Sequence, residues 1–122
     1  QASSWRLLPD AARARACLGD VALAAGELDE AQQLYGMSRE VRTALLGSRH
    51  PETARAIVGL ADVALARGDN ATAAALLSEA LDVMRERLGA THPDVRACEA
   101  ELERARAVAG ADTPAVIERT GT

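Results

Sequence analysis

The stretch LADVALARGDNATAAALLSEALDVMRERLGATHP, residues 60–93, decides the fold, because its landmarks occur once before in the same chain, 42 positions earlier. Leu18, Asp20, Val21, Ala22, Leu23, Ala24 and Gly26 fall on Leu60, Asp62, Val63, Ala64, Leu65, Ala66 and Gly68. Leu46, Gly47, His50 and Pro51 fall on Leu88, Gly89, His92 and Pro93, and 17 of the 42 positions from Asp10 to Pro51 are identical under this shift. A period of this length marks a supersecondary unit that buries its apolar face only against its neighbours. Pro9 also aligns with Pro51 and Pro93, and Gly26 with Gly68 and Gly110, so the 122 residues hold two full units and part of a third.

Each unit divides into two helices. Proline suits a first helical turn, and the residue before it is pushed out of the helical region, which sets helix starts at Pro9, Pro51 and Pro93. Gly26, Gly68 and Gly110 then supply left-handed C-caps, closing helices over 9–25, 51–67 and 93–109. Second helices run over 28–46 and 70–88, closed by Gly47 and Gly89, with Asp29 and Glu30 complementing one helix dipole and Asn70 capping the other. The expected fold is all-α, a right-handed superhelical array of antiparallel helical hairpins, about two and a half repeats. Residues 1–8 are the end of a preceding repeat or an N-terminal lid. Repeat 1 is 9–50, repeat 2 is 51–92, the first helix of a third repeat is 93–110, and 111–122 form a short stub from Pro114 and a frayed tail.

Composition agrees with this division. The chain has 28 alanines, 15 leucines, one tryptophan, one tyrosine and no phenylalanine, a mixture that favours helix and leaves strands short of β-branched and aromatic residues. Fourteen arginines and no lysine face eighteen acids, giving a net charge of −4 that opposes a phosphate backbone and argues against nucleic acid as a partner. No apolar run reaches the length of a membrane span, and the start QASSWRLLPD has no signal core, so a cytoplasmic location is expected. Gln1 in place of an initiating Met reads as a fragment or a processed chain.

The pattern resembles tetratricopeptide repeats, specifically the 42-residue kind of kinesin light chains and many bacterial signalling proteins. The second unit carries it as L-A-x-x-A-x-x-x-G-D from Leu60 to Asp69, A-x-x-L-L-x-x-A-L-x-V from Ala73 to Val83, and L-G-x-x-H-P from Leu88 to Pro93. The first unit matches at Ala31, Leu34, Tyr35, Val41 and Leu46 to Pro51. It departs where Ala22 and Ala64 stand in place of the usual tyrosine, where Ser38 and Arg39 replace Ala-Leu, and at Gly36, which costs about 1 kcal/mol mid-helix relative to alanine.

The resemblance implies a protein or peptide partner held in the concave groove lined by the first helix of each hairpin, as a scaffold or adaptor within a larger bacterial signalling or regulatory protein. Carried over position by position, the groove is Arg13, Cys17, Asp20 and Leu23, then Arg55, Gly59, Asp62 and Leu65, then Glu101, Arg104 and Val108. Members that bind chaperone tails use lysine and asparagine at such places; here lysine is absent and Asp20 and Asp62 stand for the asparagine, so no such carboxylate clamp is expected. The arginines and aspartates either receive a peptide bearing both charges or pair with each other, Arg13 with Asp20 and Arg55 with Asp62.

The two ends differ. Helix 93–109 shows a single apolar stripe, Val95, Cys98, Leu102, Ala105 and Val108, and reads as a cap. Helix 9–25 is apolar nearly all round, like an interior helix without its neighbour, so the chain is expected to be the C-terminal part of a longer array. The alternative function is therefore self-association, a homodimer through Trp5, Leu7, Leu8, Ala14 and Leu18. His50 and His92 recur with the scaffold and so serve its corners, and no third ligand makes a metal site. Cys17 and Cys98 read as buried free thiols, and the absence of any phosphate loop or catalytic motif leaves no sign of an enzyme or a cofactor.

Overall fold

The computed structural model describes residues 9–111, and these form five helices: α1 (Pro9–Ala24), α2 (Leu28–Leu46), α3 (Pro51–Ala66), α4 (Asn70–Leu88) and α5 (Pro93–Ala111). Each packs mainly on its chain neighbours, and α1 also touches α3, so the first helices of successive hairpins stand side by side. The expectations for residues 1–8 and 112–122, including Trp5, Leu7, Leu8 and the stub at Pro114, lie outside the described residues.

The repeated glycines end the helices as their alignment requires. Gly26 and Gly68 hold φ of 80° and 82°, which side chains resist. Beyond each, the next amide returns to the helix: Glu27 donates to the Ala22 carbonyl at 2.8 Å and Asp69 to that of Ala64 at 2.9 Å. Gly110 differs, because α5 continues through it to Ala111.

The H-P corners are N-caps built on histidine. His50 Nδ1 accepts from the Glu52 amide and His92 Nδ1 from the Asp94 amide, both at 3.1 Å, which satisfies one orphan donor of α3 and one of α5. Thr53 Oγ1 donates to the Gly47 carbonyl at 2.8 Å and ties the first of these corners to the end of α2. At α4 the cap is Asp69, accepting from the Thr72 amide at 3.2 Å, and the expected cap Asn70 is the first helical residue.

Two clusters make the core. The larger joins α3, α4 and α5 through Ile57, Leu77, Leu81, Val83, Val95 and Leu102 set among alanines. The smaller joins α1, α2 and α3 through Ala22, Ala31, Tyr35 and Val63. Ala31, Ala61 and Ala73 are fully buried, as close helix crossings demand. Ala73→Leu is therefore expected to lower stability by about 1–3 kcal/mol through overpacking, read as a lower denaturant midpoint with helical content retained.

The departures at Ser38 and Arg39 make contacts of their own. Ser38 is fully buried and its hydroxyl donates to the Ala12 carbonyl at 3.0 Å, fastening α2 to α1. Arg39 reaches Glu79 at 2.6 Å, and Arg49 reaches Asp82 and Glu86 at 2.9 Å each, so charge links α2 and the turn after it to α4. Such exposed pairs each contribute only about 0–1 kcal/mol.

Of the stripe expected on α5, Val95, Cys98, Leu102 and Ala105 are buried and Val108 is exposed. Cys98 is a buried thiol that donates to the Leu77 carbonyl at 3.6 Å, and burial raises its pKa to about 11. Cys17, expected buried as well, is exposed, because its side of α1 faces the open concave surface.

Candidate functional site

The first helices of the hairpins hold a cavity of about 390 Å³ between them. Arg13, Cys17 and Asp20 of α1 and Arg55, Gly59 and Asp62 of α3 line it, six of the groove residues expected from the sequence. The 42-residue period explains this meeting, since equal positions on parallel neighbouring helices lie side by side. Leu23 and Leu65 are half-buried and pack into the two clusters. Arg104 and Val108 are exposed on α5 outside this cavity, while Glu101 of α5 meets Asp62.

Five further residues line the cavity that the repeat does not single out: Ala16 from α1, Tyr35 and Arg42 from α2, and Glu52 and Val58 from α3. Tyr35 is 3% exposed and passes from the second helix layer to the floor between α1 and α3. Glycines make its room. A Cβ on Gly19 would stand 3.0 Å from the ring, and one on Gly59 would overlap it. The tyrosine hydroxyl donates to the Asp20 carboxylate. Burial first, and then this bond and the charges of Asp20 and Asp62, push its pKa up. The sequence signal was present: both of these small residues stand at interhelix positions, beside a lone tyrosine where the second unit has Leu77.

Charge divides the cavity into two ends. At one end Glu52 pairs with Arg55 at 2.6 Å and with Arg42 at 3.4 Å, and Arg55 also reaches Asp94 at 3.1 Å. Of the two alternatives, the pairing of Arg55 with Asp62 does not form. Seven residues separate them, about 10 Å along a helix, whereas Glu52 is one turn away. The same distance separates Arg13 from Asp20, whose partner is Tyr35.

At the other end Asp62 faces Glu101, with Asp20 nearby. Burial and these two carboxylates push Asp62 up to about 7 from its ordinary 3.8. Its neutral form can donate a hydrogen bond to Glu101. The folded chain thus holds this proton more tightly than the unfolded chain, a contribution to stability that is complete below the ordinary carboxylate pKa and is lost as the pH rises through about 7. The denaturation midpoint is therefore expected to rise between about pH 8 and about pH 5, and Asp62→Asn is expected to flatten that rise. A midpoint that falls over the same interval in the parent but not in Asp62→Asn would contradict this assignment.

Among the described residues no group of three His, Cys, Asp or Glu side chains could hold a metal ion, and no helix is long and apolar enough to cross a membrane. What the cavity offers is charge of both signs on a rigid helical floor, a surface suited to recognition.

Comparison with known proteins agrees. A family model described as tetratricopeptide repeat matches residues 10–86. Among solved structures, the chain is similar to the crystal structure of a Podosopora anserina kinesin light chain variant with nearly identical TPR-like repeats, at 25% identity and a TM-score of 0.71. That match covers 88% of this chain and 50% of the other, so the chain spans half the length of that structure. No curated protein matches.

Proposed function

The chain belongs to the tetratricopeptide repeat family, whose arrays mediate contacts between proteins, and from that premise we propose that it binds a protein or peptide partner in the concave groove between α1, α3 and α5. The observation that carries the proposal is the cavity between α1 and α3, open on the concave side and lined by Arg13, Arg42 and Arg55 at one end and Asp20 and Asp62 at the other. A role as scaffold or adaptor within a larger regulatory protein belongs to the same proposal and rests on the resemblance to the family.

Cys17 provides the test. It is exposed in the cavity while Cys98 is buried, so a thiol-directed photo-crosslinker labels the groove selectively. Crosslinking in cells is expected to join a defined partner to Cys17, and Arg13→Glu or Asp62→Arg is expected to abolish the product. Products that survive both changes would count against the groove.

A second reading is favoured by one observation. Leu18 and Val21 on the outer face of α1 are 56% and 67% exposed, and Ala14 on the same helix is exposed as well. The corresponding Ala56 and Val63 of α3 are buried, with Val63 in the cluster around Tyr35 of α2. Under this reading a second copy covers α1. Sedimentation across a wide concentration range would show a dimer that Leu18→Glu dissociates; a monomer at all concentrations excludes it.

A further inference from the structure

We propose that the partner segment received by the groove is extended and carries an apolar side chain, then an acidic residue, and about three residues from the acid a basic one, in that order in space along the line from the end of α2 to Asp62. The inference rests on the groove reading and names the chemistry of its occupant.

A second cavity, of about 140 Å³, adjoins the charged one and is lined by Leu45, Leu46, Arg13, Arg42 and Glu52. Arg13, Arg42 and Glu52 line both, so the two form one continuous surface. Leu45 and Leu46 are 43% and 41% exposed on the last turn of α2, large apolar side chains left open to water. This recess offers an apolar seat at the edge of a charged groove.

The charges fix the rest of the order. Arg42 and Arg55 are engaged by Glu52 and Asp94, while Arg13 has no ion-pair partner among the described residues, so the end nearest the recess carries positive charge to spare. An acidic side chain placed there gains a charge-assisted hydrogen bond. At the far end Asp20 bonds to the Tyr35 hydroxyl and Asp62 faces Glu101, so neither has a cationic partner among the described residues. Repulsion between these carboxylates is relieved by a cation from outside.

Spacing and order along the groove follow from helix geometry. Arg13 and Asp20 are seven residues apart, about 10 Å along α1, which an extended chain crosses in about three residues at 3.3 Å each. Because α2 runs antiparallel to α1, its last turn stands beside the first turn of α1. The apolar position therefore lies beyond the acidic one, on the side away from the basic one.

The test is selection of a random peptide display library on the full immobilised chain, followed by anisotropy of fluorescein-labelled synthetic peptides and by protection of the Cys17 thiol from alkylation. The expected selection is an apolar residue, an acid and, three positions from the acid, a base, in that order along the peptide read from either end. Binding of these peptides is expected to fall at least tenfold in Leu46→Gln, and selection on Arg13→Glu is expected to exchange the acidic preference for a basic one. Both residues are exposed, and unchanged circular dichroism checks that the variants fold. Selected peptides that protect Cys17 but show another order, or that bind Leu46→Gln and Arg13→Glu as well as the parent, overturn the proposal and leave the groove standing. Selection of no peptide that protects Cys17 overturns both.

Discussion

Tyr35→Ala is expected to lower stability by about 3–5 kcal/mol, the range for removing a buried aromatic side chain. The ring is 3% exposed, and of the residues around it Gly19, Gly59, Ala22 and Ala31 have no side chain that can swing into the space left behind, while Val63 is stiff at χ1. A void lined mainly by such residues collapses little and keeps most of its cost. The hydroxyl adds about 1 kcal/mol through its bond to Asp20, an amount that Tyr35→Phe isolates. Against a total of about 5–15 kcal/mol for a small domain, the loss is large enough to free α1 and α2 from the remainder. Native-state hydrogen exchange should then show α1 and α2 amides exchanging ahead of those in α4. A cost under about 1 kcal/mol, or uniform loss of protection along the chain, would show that Tyr35 is not what joins the first hairpin to the second. Gly59→Ala reports on the same contact from the other side. Alanine gains about 1 kcal/mol of helix propensity over glycine, but its methyl would overlap the ring, so the net sign should be destabilising.

The second large effect is at Leu77, which occupies in the second unit the place of Tyr35 in the first. Leu77→Ala is expected to cost about 2–5 kcal/mol. The side chain is fully buried in the cluster that spans α3, α4 and α5, the larger part of the apolar core. Its loss therefore reaches the segment on which the first hairpin rests. Exchange should speed in α3, α4 and α5 together, in contrast to the local effect of Tyr35→Ala. Thermal unfolding monitored by circular dichroism gives the check. A midpoint unchanged within about 2 °C, less than 1 kcal/mol for a domain of this size, would place the weight of the core elsewhere.

Much of the cavity lining was legible because repetition carries geometry. Arg13 with Arg55 and Asp20 with Asp62 are equal positions of equal units, and stacking sets them side by side around one cavity. Which charges meet was not legible. Arg55 chose Glu52, one turn away, and Asp94 across the helix stack, while Asp62 met Glu101, because side-chain pairing depends on a few ångströms of helix offset that a 42-residue period does not encode. Tyr35 escaped notice as a groove residue for a related reason. It belongs to the second helix layer, and only the bare backbone at Gly19 and Gly59 lets its ring through to the concave side.

Local chemistry and periodicity, read along the chain, determined the helices and their turns: prolines and histidines at the starts, glycines at the ends and small residues at the crossings act through neighbours in sequence or through positions that recur with it. The tertiary structure alone decided what each helix face meets. It exposed Cys17 while burying Cys98, left Leu18 and Val21 open where their α3 counterparts Leu60 and Val63 are half-buried and buried, carried α5 through Gly110, and raised Asp62 to about 7. Each of these outcomes depends on burial and on charges brought together from separate helices. Exposure and proton affinity are properties of that packed neighbourhood, and equal residues in equal repeats acquire different ones wherever their neighbours differ.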